Sequence, residues 1–166
     1  MHILMCNDDG ILADGLRHLA SYLSQYYRIT VVAPANEQSA KSHALTTEVP
    51  LKLDACNGED ENPRLYALTG TPSDCMKFGL SYLLTDDMPD LVISGINHGF
   101  NLGSDVLYSG TVSAAMESGF YGIPGLALSV ERYSVERGDE MHPFIHELIE
   151  KIYVAGQFSG LLNVNF

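Results

Sequence analysis

A short apolar run, Ile3 to Cys6, breaks directly into Asn7-Asp8-Asp9-Gly10, and this junction constrains the fold more than any other feature. From Leu12 the apolar residues recur at Leu16, Leu19, Ala20, Leu23, Tyr26 and Tyr27, a helical stripe for which Asp14 is the expected N-cap. Arg28 to Pro34 then reads as a second strand, rich in β-branched residues and stopped by its proline. Strand, helix and strand with short joints make a βαβ unit, whose crossover is right-handed and whose strands are parallel.

The rhythm then pauses. Leu45 to Ala55 and Arg64 to Thr69 read as extended segments around an acidic turn, a β-hairpin or small β insertion over about 45–69. Thr71-Pro72-Ser73-Asp74 announces a helix running to about Leu84, with Thr71 as N-cap and Pro72 at the first helical position. Asp90 to Gly95 is the clearest central strand, followed by a Gly- and Asn-rich loop to Ser109. A helix of small residues from Gly110 to about Phe120, a strand at Pro124 to Val130 and an amphipathic helix at Pro143 to Val154 complete the alternation. The expectation is a Rossmann-like three-layer α/β sandwich around a mainly parallel sheet, one domain over residues 1–166. The chain stops within a strand-like run, Leu161 to Phe166, which reads as a missing C-terminal part.

Composition narrows the function. Nine Lys plus Arg face 21 Asp plus Glu, a net charge of −12 that repels nucleic-acid polymers and anionic membrane surfaces. A small anion would need a bound cation or a cradle of N–H donors. No apolar run approaches the ~20 residues of a membrane span. Three scattered cysteines (Cys6, Cys56, Cys75) without CxxC spacing, and an N-terminus that enters a strand with no basic lead-in, predict a reduced, cytoplasmic setting.

In doubly wound sheets ligands bind beyond the C-terminal strand ends. Those positions hold Asp8 and Asp9 after the first strand, Asn36 and Ser39 after the second, and Asn97 and Asn101 after the central one. Ser109-Gly110-Thr111 adds an uncharged helix start, an anion site by its N–H groups. Two adjacent carboxylates at ~4 Å and an effective dielectric near 20 repel by about 4 kcal/mol, so they share a proton or hold a cation. Asp-Asp-Gly is also an ordinary turn signal; its place directly after the first strand favours the cation. All-oxygen donors select a hard ion, Mg²⁺, Mn²⁺ or Ca²⁺. His142 and His146, four apart, read as a surface pair, and His98 stands beside Asn97 in the loop. His2, His18 and His43 read as structural or surface residues, and Cys6 as core.

Taken in order, Asn7-Asp8-Asp9-Gly10, Val32-Ala33-Pro34 with Ser39, Gly70-Thr71-Pro72, Ser94-Gly95-Ile96-Asn97, Asn101-Leu102-Gly103 and Tyr108 to Val112 resemble the survival protein SurE family. The resemblance implies a divalent-metal-dependent phosphatase of nucleoside 5′- and 3′-monophosphates, in some members also of short polyphosphate. It implies Asp8, Asp9, Ser39 and Asn97 as metal ligands, with Asp8 and Asp9 catalytic, and Asn101, Ser109, Gly110 and Thr111 as phosphate contacts. One Mg²⁺ or Mn²⁺ is the implied cofactor, with Ca²⁺ as its substitute in crystals. The resemblance further implies a C-terminal oligomerisation segment past Phe166, an extended hairpin and swapped tail that would build homodimers and tetramers. Ala40-Lys41-Ser42-His43-Ala44 stands where relatives usually carry Gly and Asn.

Two rivals stand beside this reading. A non-catalytic nucleotide- or metal-binding domain would show affinity without turnover. A receiver-type signalling module would need a phospho-accepting Asp at the end of a middle strand and a later Lys; here those ends read Leu68-Thr69-Gly70, Ser94-Gly95 and Ser129-Val130.

Overall fold

In chain order the elements are β1 (His2–Cys6), α1 (Asp14–Leu23), β2 (Arg28–Pro34), β3 (Leu53–Ala55), β4 (Arg64–Leu68), α2 (Pro72–Phe78), β5 (Leu91–His98), α3 (Gly110–Glu117), β6 (Gly125–Val130), α4 (Val135–Ile149) and β7 (Leu161–Asn165). They are seen in a computed structural model that describes residues 1–156 and 158–166. The strands form one sheet in the order β3-β4-β2-β1-β5-β6-β7, parallel throughout except for β3.

Strand alternation sorts the core onto two faces. Ile3 and Met5 of β1 join Leu16, Leu19 and Leu23 of α1 and Met141, Ile145 and Ile149 of α4. Leu4 and Cys6 turn the other way, onto Cys75 and Met76 of α2 and Ala114 of α3. A ten-residue helix such as α1 is marginal alone. Here its three leucines are fully buried, each worth about 1.5–3 kcal/mol of transfer free energy. The expected three-layer α/β sandwich is therefore the fold.

Several boundaries move for physical reasons. The N-cap of α1 is Ala13, not Asp14, because Ala13 N–H donates to the Gly10 carbonyl at 3.0 Å and sets the turn one residue earlier. Asp14 still opens the first turn, where its charge suits the helix dipole. Thr71 caps α2 as expected, in a full capping box with Asp74. α4 begins at Val135 behind a Ser134 cap, and Pro143 lies inside it rather than at its start. The buried stripe Gly138, Met141, His142, Ile145 and Ile149 outweighs the proline. The 45–69 segment is less separate than expected: β4 pairs in parallel with β2 from Thr30↔Arg64 to Pro34↔Leu68, and only three-residue β3 is an antiparallel edge.

β5 runs on to His98, which carries Asn97 to the rim. Its register against β6 shifts between Ser94 and Asn97. Gly95 makes the shift feasible: its φ is +130° and a Cβ there would stand 2.3 Å from the Leu128 carbonyl oxygen. The chain leaves β1 toward β2 and later returns to β5 on the opposite side, so the C-terminal ends of β1 and β5 form a topological switch point. Among the described residues no helix is long and apolar enough to cross a membrane.

Candidate active site

The loop after β1 is built to present two carboxylates. Asn7, fully buried, accepts from Gly10 N–H at 3.1 Å and donates its amide to the Gly10 carbonyl at 3.0 Å. Gly10 adopts φ +101° in this Asx-type turn. The backbone is then stitched to the segment after β2: Ile11 N–H donates to the Pro34 carbonyl at 2.8 Å and Gln38 N–H to the Asp8 carbonyl at 2.7 Å.

Facing this loop is the start of α3. Ser109 caps the helix, accepting from Val112 N–H at 3.1 Å. The Thr111 hydroxyl donates to Asp8 Oδ1 at 2.6 Å. A Cβ on Gly110 would lie 3.0 Å from Asp8 Cβ, 3.1 Å from Asp8 Oδ2 and 3.3 Å from Pro72 Cγ. The helix N-terminus, which favours negative charge, thus abuts the carboxylate directly.

Even so, burial works against the charged form of both carboxyls. Burial pushes the Asp8 carboxyl up, with the Thr111 hydrogen bond opposing and Glu37 adding to the rise. Asp9 is pushed up to about 6 by burial first and by Asp8 second; Glu37 adds to this, and the His98 backbone and ring oppose it. Such a pair accommodates a cation.

Two neutral side chains of the neighbouring segments keep an oxygen uncommitted. Asn97 commits its amide N–H to the Gly99 carbonyl at 2.7 Å, leaving its oxygen for another partner. Ser39 is exposed and donates to Glu37 Oε1 at 2.8 Å, so its lone pairs stay available. Among the described residues no cluster of three or more His, Cys, Asp or Glu could hold a metal. A cation here would rest on two carboxylates and neutral oxygens, a hard-ion set that leaves coordination positions open.

Asp8, Ser109, Gly110 and Thr111 are therefore brought into one contact network, with Asp9 beside it. Asn101 is anchored to the sheet through its backbone and one amide N–H, which leaves the second amide N–H uncommitted. Its amide donates to Ser129 Oγ at 2.8 Å, its N–H to Asn165 Oδ1 at 2.8 Å, and its carbonyl accepts from Asn163 at 2.9 Å. It ties the β5–α3 connection to β6 and β7.

His142 corrects the surface-pair reading: it is 4% exposed, its Nε2 has no hydrogen-bond partner, and only His146 stacks outward, on Tyr26. His2 is buried, its Nε2 3.0 Å from Thr30 Oγ1, and His43 meets buried Glu117 at 3.0 Å. Sequence reasoning missed Glu37, the carboxylate that raises both aspartates, and the place of Pro72 against Gly110. The signal was there for Glu37, since it stands two residues before Ser39 in the same loop.

The sequence model of the family described as "Survival protein SurE" matches residues 3–166. A "5'-nucleotidase SurE" of Thermoanaerobacter sp. strain X514 is 49% identical over 166 residues, covering 99% of this chain and 65% of the relative. One of Vibrio vulnificus strain YJ016 is 50% identical over 130 residues, covering 78% of this chain and 49% of the relative. The crystal structure of SurE protein from Aquifex aeolicus superposes with a TM-score of 0.82 at 34% identity, covering 99% of this chain and 66% of that one. The chain thus spans about 65% of the length of the Thermoanaerobacter relative.

Proposed function

The chain belongs to the survival protein SurE family, and on that footing we propose that it is a divalent-metal-dependent phosphomonoesterase of nucleoside 5′-monophosphates. The proposal extends to 3′-monophosphates and short polyphosphate. The observation that carries it is the contact of Asp8 with the first residues of α3, which joins a carboxylate pair to an anion-favouring helix start at the sheet's switch point.

Asp8, Asp9, Ser39 and Asn97 would hold one Mg²⁺ or Mn²⁺. When bound, such an ion supplies positive charge to the phosphoryl group and acidifies water. The chain's own residues do the rest. The N–H groups at Gly110 and Thr111, with the Ser109 hydroxyl, bind the non-bridging phosphate oxygens, whose charge grows in the transition state. Gly110, lacking a Cβ, lets the phosphate approach the backbone. Asp9, less buried than Asp8, aligns the attacking water. Water oxygen bonds to phosphorus and gives up a proton to Asp9 or to solvent, the ester P–O bond breaks, and the nucleoside leaves with a proton from solvent. Asn101 holds the loop that leads into Ser109, and its second amide N–H is the further phosphate contact.

Phosphate release from AMP, GMP, CMP and UMP, 3′-AMP and tripolyphosphate, with Mg²⁺, Mn²⁺ or excess chelator, tests the reading. Chelator-sensitive release is expected, with Asp8→Asn lowering kcat by about 10²-fold or more while Tm stays close to that of the parent. Full activity in Asp8→Asn, or release indifferent to chelator, overturns it. We further expect a cytoplasmic protein that associates as a homodimer or tetramer at its relatives' length, checked by fractionation and light scattering.

A further inference from the structure

A pocket of about 280 Å³ opens at the C-terminal ends of β2 and β4, beside the aspartate pair. Its lining includes Asn36, Gln38, Val49, Leu68, Thr69 and Gly70, and no lining residue is ionisable. In a chain with 21 acidic and 9 basic residues, such a lining selects a neutral ligand. A second phosphate finds no cation there, and a cationic group finds no carboxylate.

Both walls lead into the candidate site. On one side Gln38 N–H donates to the Asp8 carbonyl at 2.7 Å. On the other, Gly70 is followed by Thr71 and Pro72, whose Cγ stands 3.3 Å from where a Gly110 Cβ would be. The volume falls just below the ~300–1,000 Å³ of sites that take whole drug-sized ligands, so it suits one part of a larger one. Two threonine hydroxyls of the lining are already engaged: Thr46 donates to Asp74 Oδ2 at 2.6 Å, and Thr69 accepts from Lys52 N–H at 2.8 Å. The side-chain amides of Asn36 and Gln38 remain to read a ligand. Each offers both donors and an acceptor, the complement of a heterocycle edge. Val49, 62% exposed, offers apolar surface to a ring face.

We propose that this pocket holds the nucleobase of the substrate while its phosphate lies on the α3 N-terminus, with Asn36 and Gln38 as specificity residues. The assignment rests on the nucleotidase reading. Its test is therefore double. Calorimetry with adenosine and guanosine, which carry no phosphate, is run on the parent and on Asn36→Ala/Gln38→Ala; the Gln38 substitution leaves the backbone N–H to Asp8 in place. In parallel, kcat/KM for AMP and GMP is divided by that for ribose 5-phosphate, which lacks a base. Nucleoside binding by the parent, lost in the double variant, and a fall of about ten-fold in the ratio are expected.

A parent that binds no nucleoside, a variant that binds it equally, or an unchanged ratio overturns the pocket assignment while phosphate release stands. Nucleoside binding that depends on Asn36 and Gln38 in a protein that releases no phosphate keeps the pocket and overturns the phosphatase.

Discussion

Thr111, the second residue of α3, donates its hydroxyl to Asp8 Oδ1 at 2.6 Å, and both residues are almost wholly removed from solvent. The bond joins positions 103 apart in sequence, so the carboxylate is set only once β1, β5 and the helix after β5 have docked. It is also the main hydrogen bond holding down the pKa of a carboxyl that burial pushes up. Fold and site share this one contact.

Thr111→Val keeps the shape and removes the donor. Stranding a buried carboxylate oxygen costs about 1–3 kcal/mol, or roughly 2–4 °C in Tm per kcal/mol for a domain of this size. The expected result is a chelator-treated protein with a lower Tm and a weaker apparent affinity for Mn²⁺, and Thr111→Ser restores both. A valine variant with parental Mn²⁺ affinity would show that the hydroxyl does not orient Asp8.

Gly110→Ala separates the site from the fold in the opposite sense. The new methyl presses on Asp8 Cβ, Asp8 Oδ2 and Pro72 Cγ at 3.0–3.3 Å. Replacing glycine by alanine in a helical conformation contributes about 0.4–1 kcal/mol through the unfolded chain, which offsets part of that crowding. Tm should therefore stay within a few degrees while kcat/KM falls by about ten-fold or more. Retained activity would mean that phosphate does not approach the backbone at this position.

The sequence announced the parallel strands because buried strands read as continuous apolar runs, as in Ile3–Cys6 and Leu91–Ile93. It announced Thr71 and Pro72 because capping chemistry is local. It did not announce the pairing of β4 with β2, which depends on contacts between residues more than thirty positions apart. Pro143 misled for a related reason: a proline signals a helix start locally, but the buried face of α4 continues through it. Among the candidate site residues, Asp8 and Asp9 were visible as an acidic pair after a strand. The link of Asn101 to Ser129 and Asn165 was not, because β7 must pack beside β6 before those partners exist.

His142 supplies a pH-dependent term outside the site. Burial lowers its imidazole pKa below the ordinary 6.5; His18 acts the same way and Asp139 opposes. The unfolded chain therefore takes up a proton before the folded one does. Stability from this residue is complete above about pH 6.5 and is lost as pH falls through that value toward the folded pKa. His142→Gln, neutral throughout, should narrow the difference in Tm between pH 7.5 and pH 5. His2, also lowered chiefly by burial, keeps part of the slope. Equal pH slopes in variant and parent would remove His142 from the acid response.

Asp74 fixes the outer wall of the uncharged pocket. Its carboxylate accepts from Thr46 N–H at 3.0 Å, from the Thr46 hydroxyl at 2.6 Å and from Thr71 N–H at 2.8 Å. The Thr71 hydroxyl in turn donates to the Ala44 carbonyl at 2.7 Å. One buried side chain thus closes the capping box of α2 and holds the 44–46 segment against it. Asp74→Ala removes three acceptor contacts, and the helix cap alone is worth about 1 kcal/mol. Tm should fall, and limited proteolysis should cut first within residues 44–50. Asp74→Asn retains an oxygen for Thr46 N–H and should fall between the two. Because the same segment carries Thr46 and Val49 into the pocket, the alanine variant should also lose affinity for free nucleoside. If proteolysis opened the 44–50 segment while nucleoside binding stayed at the parental level, the segment would not be a wall of the base pocket.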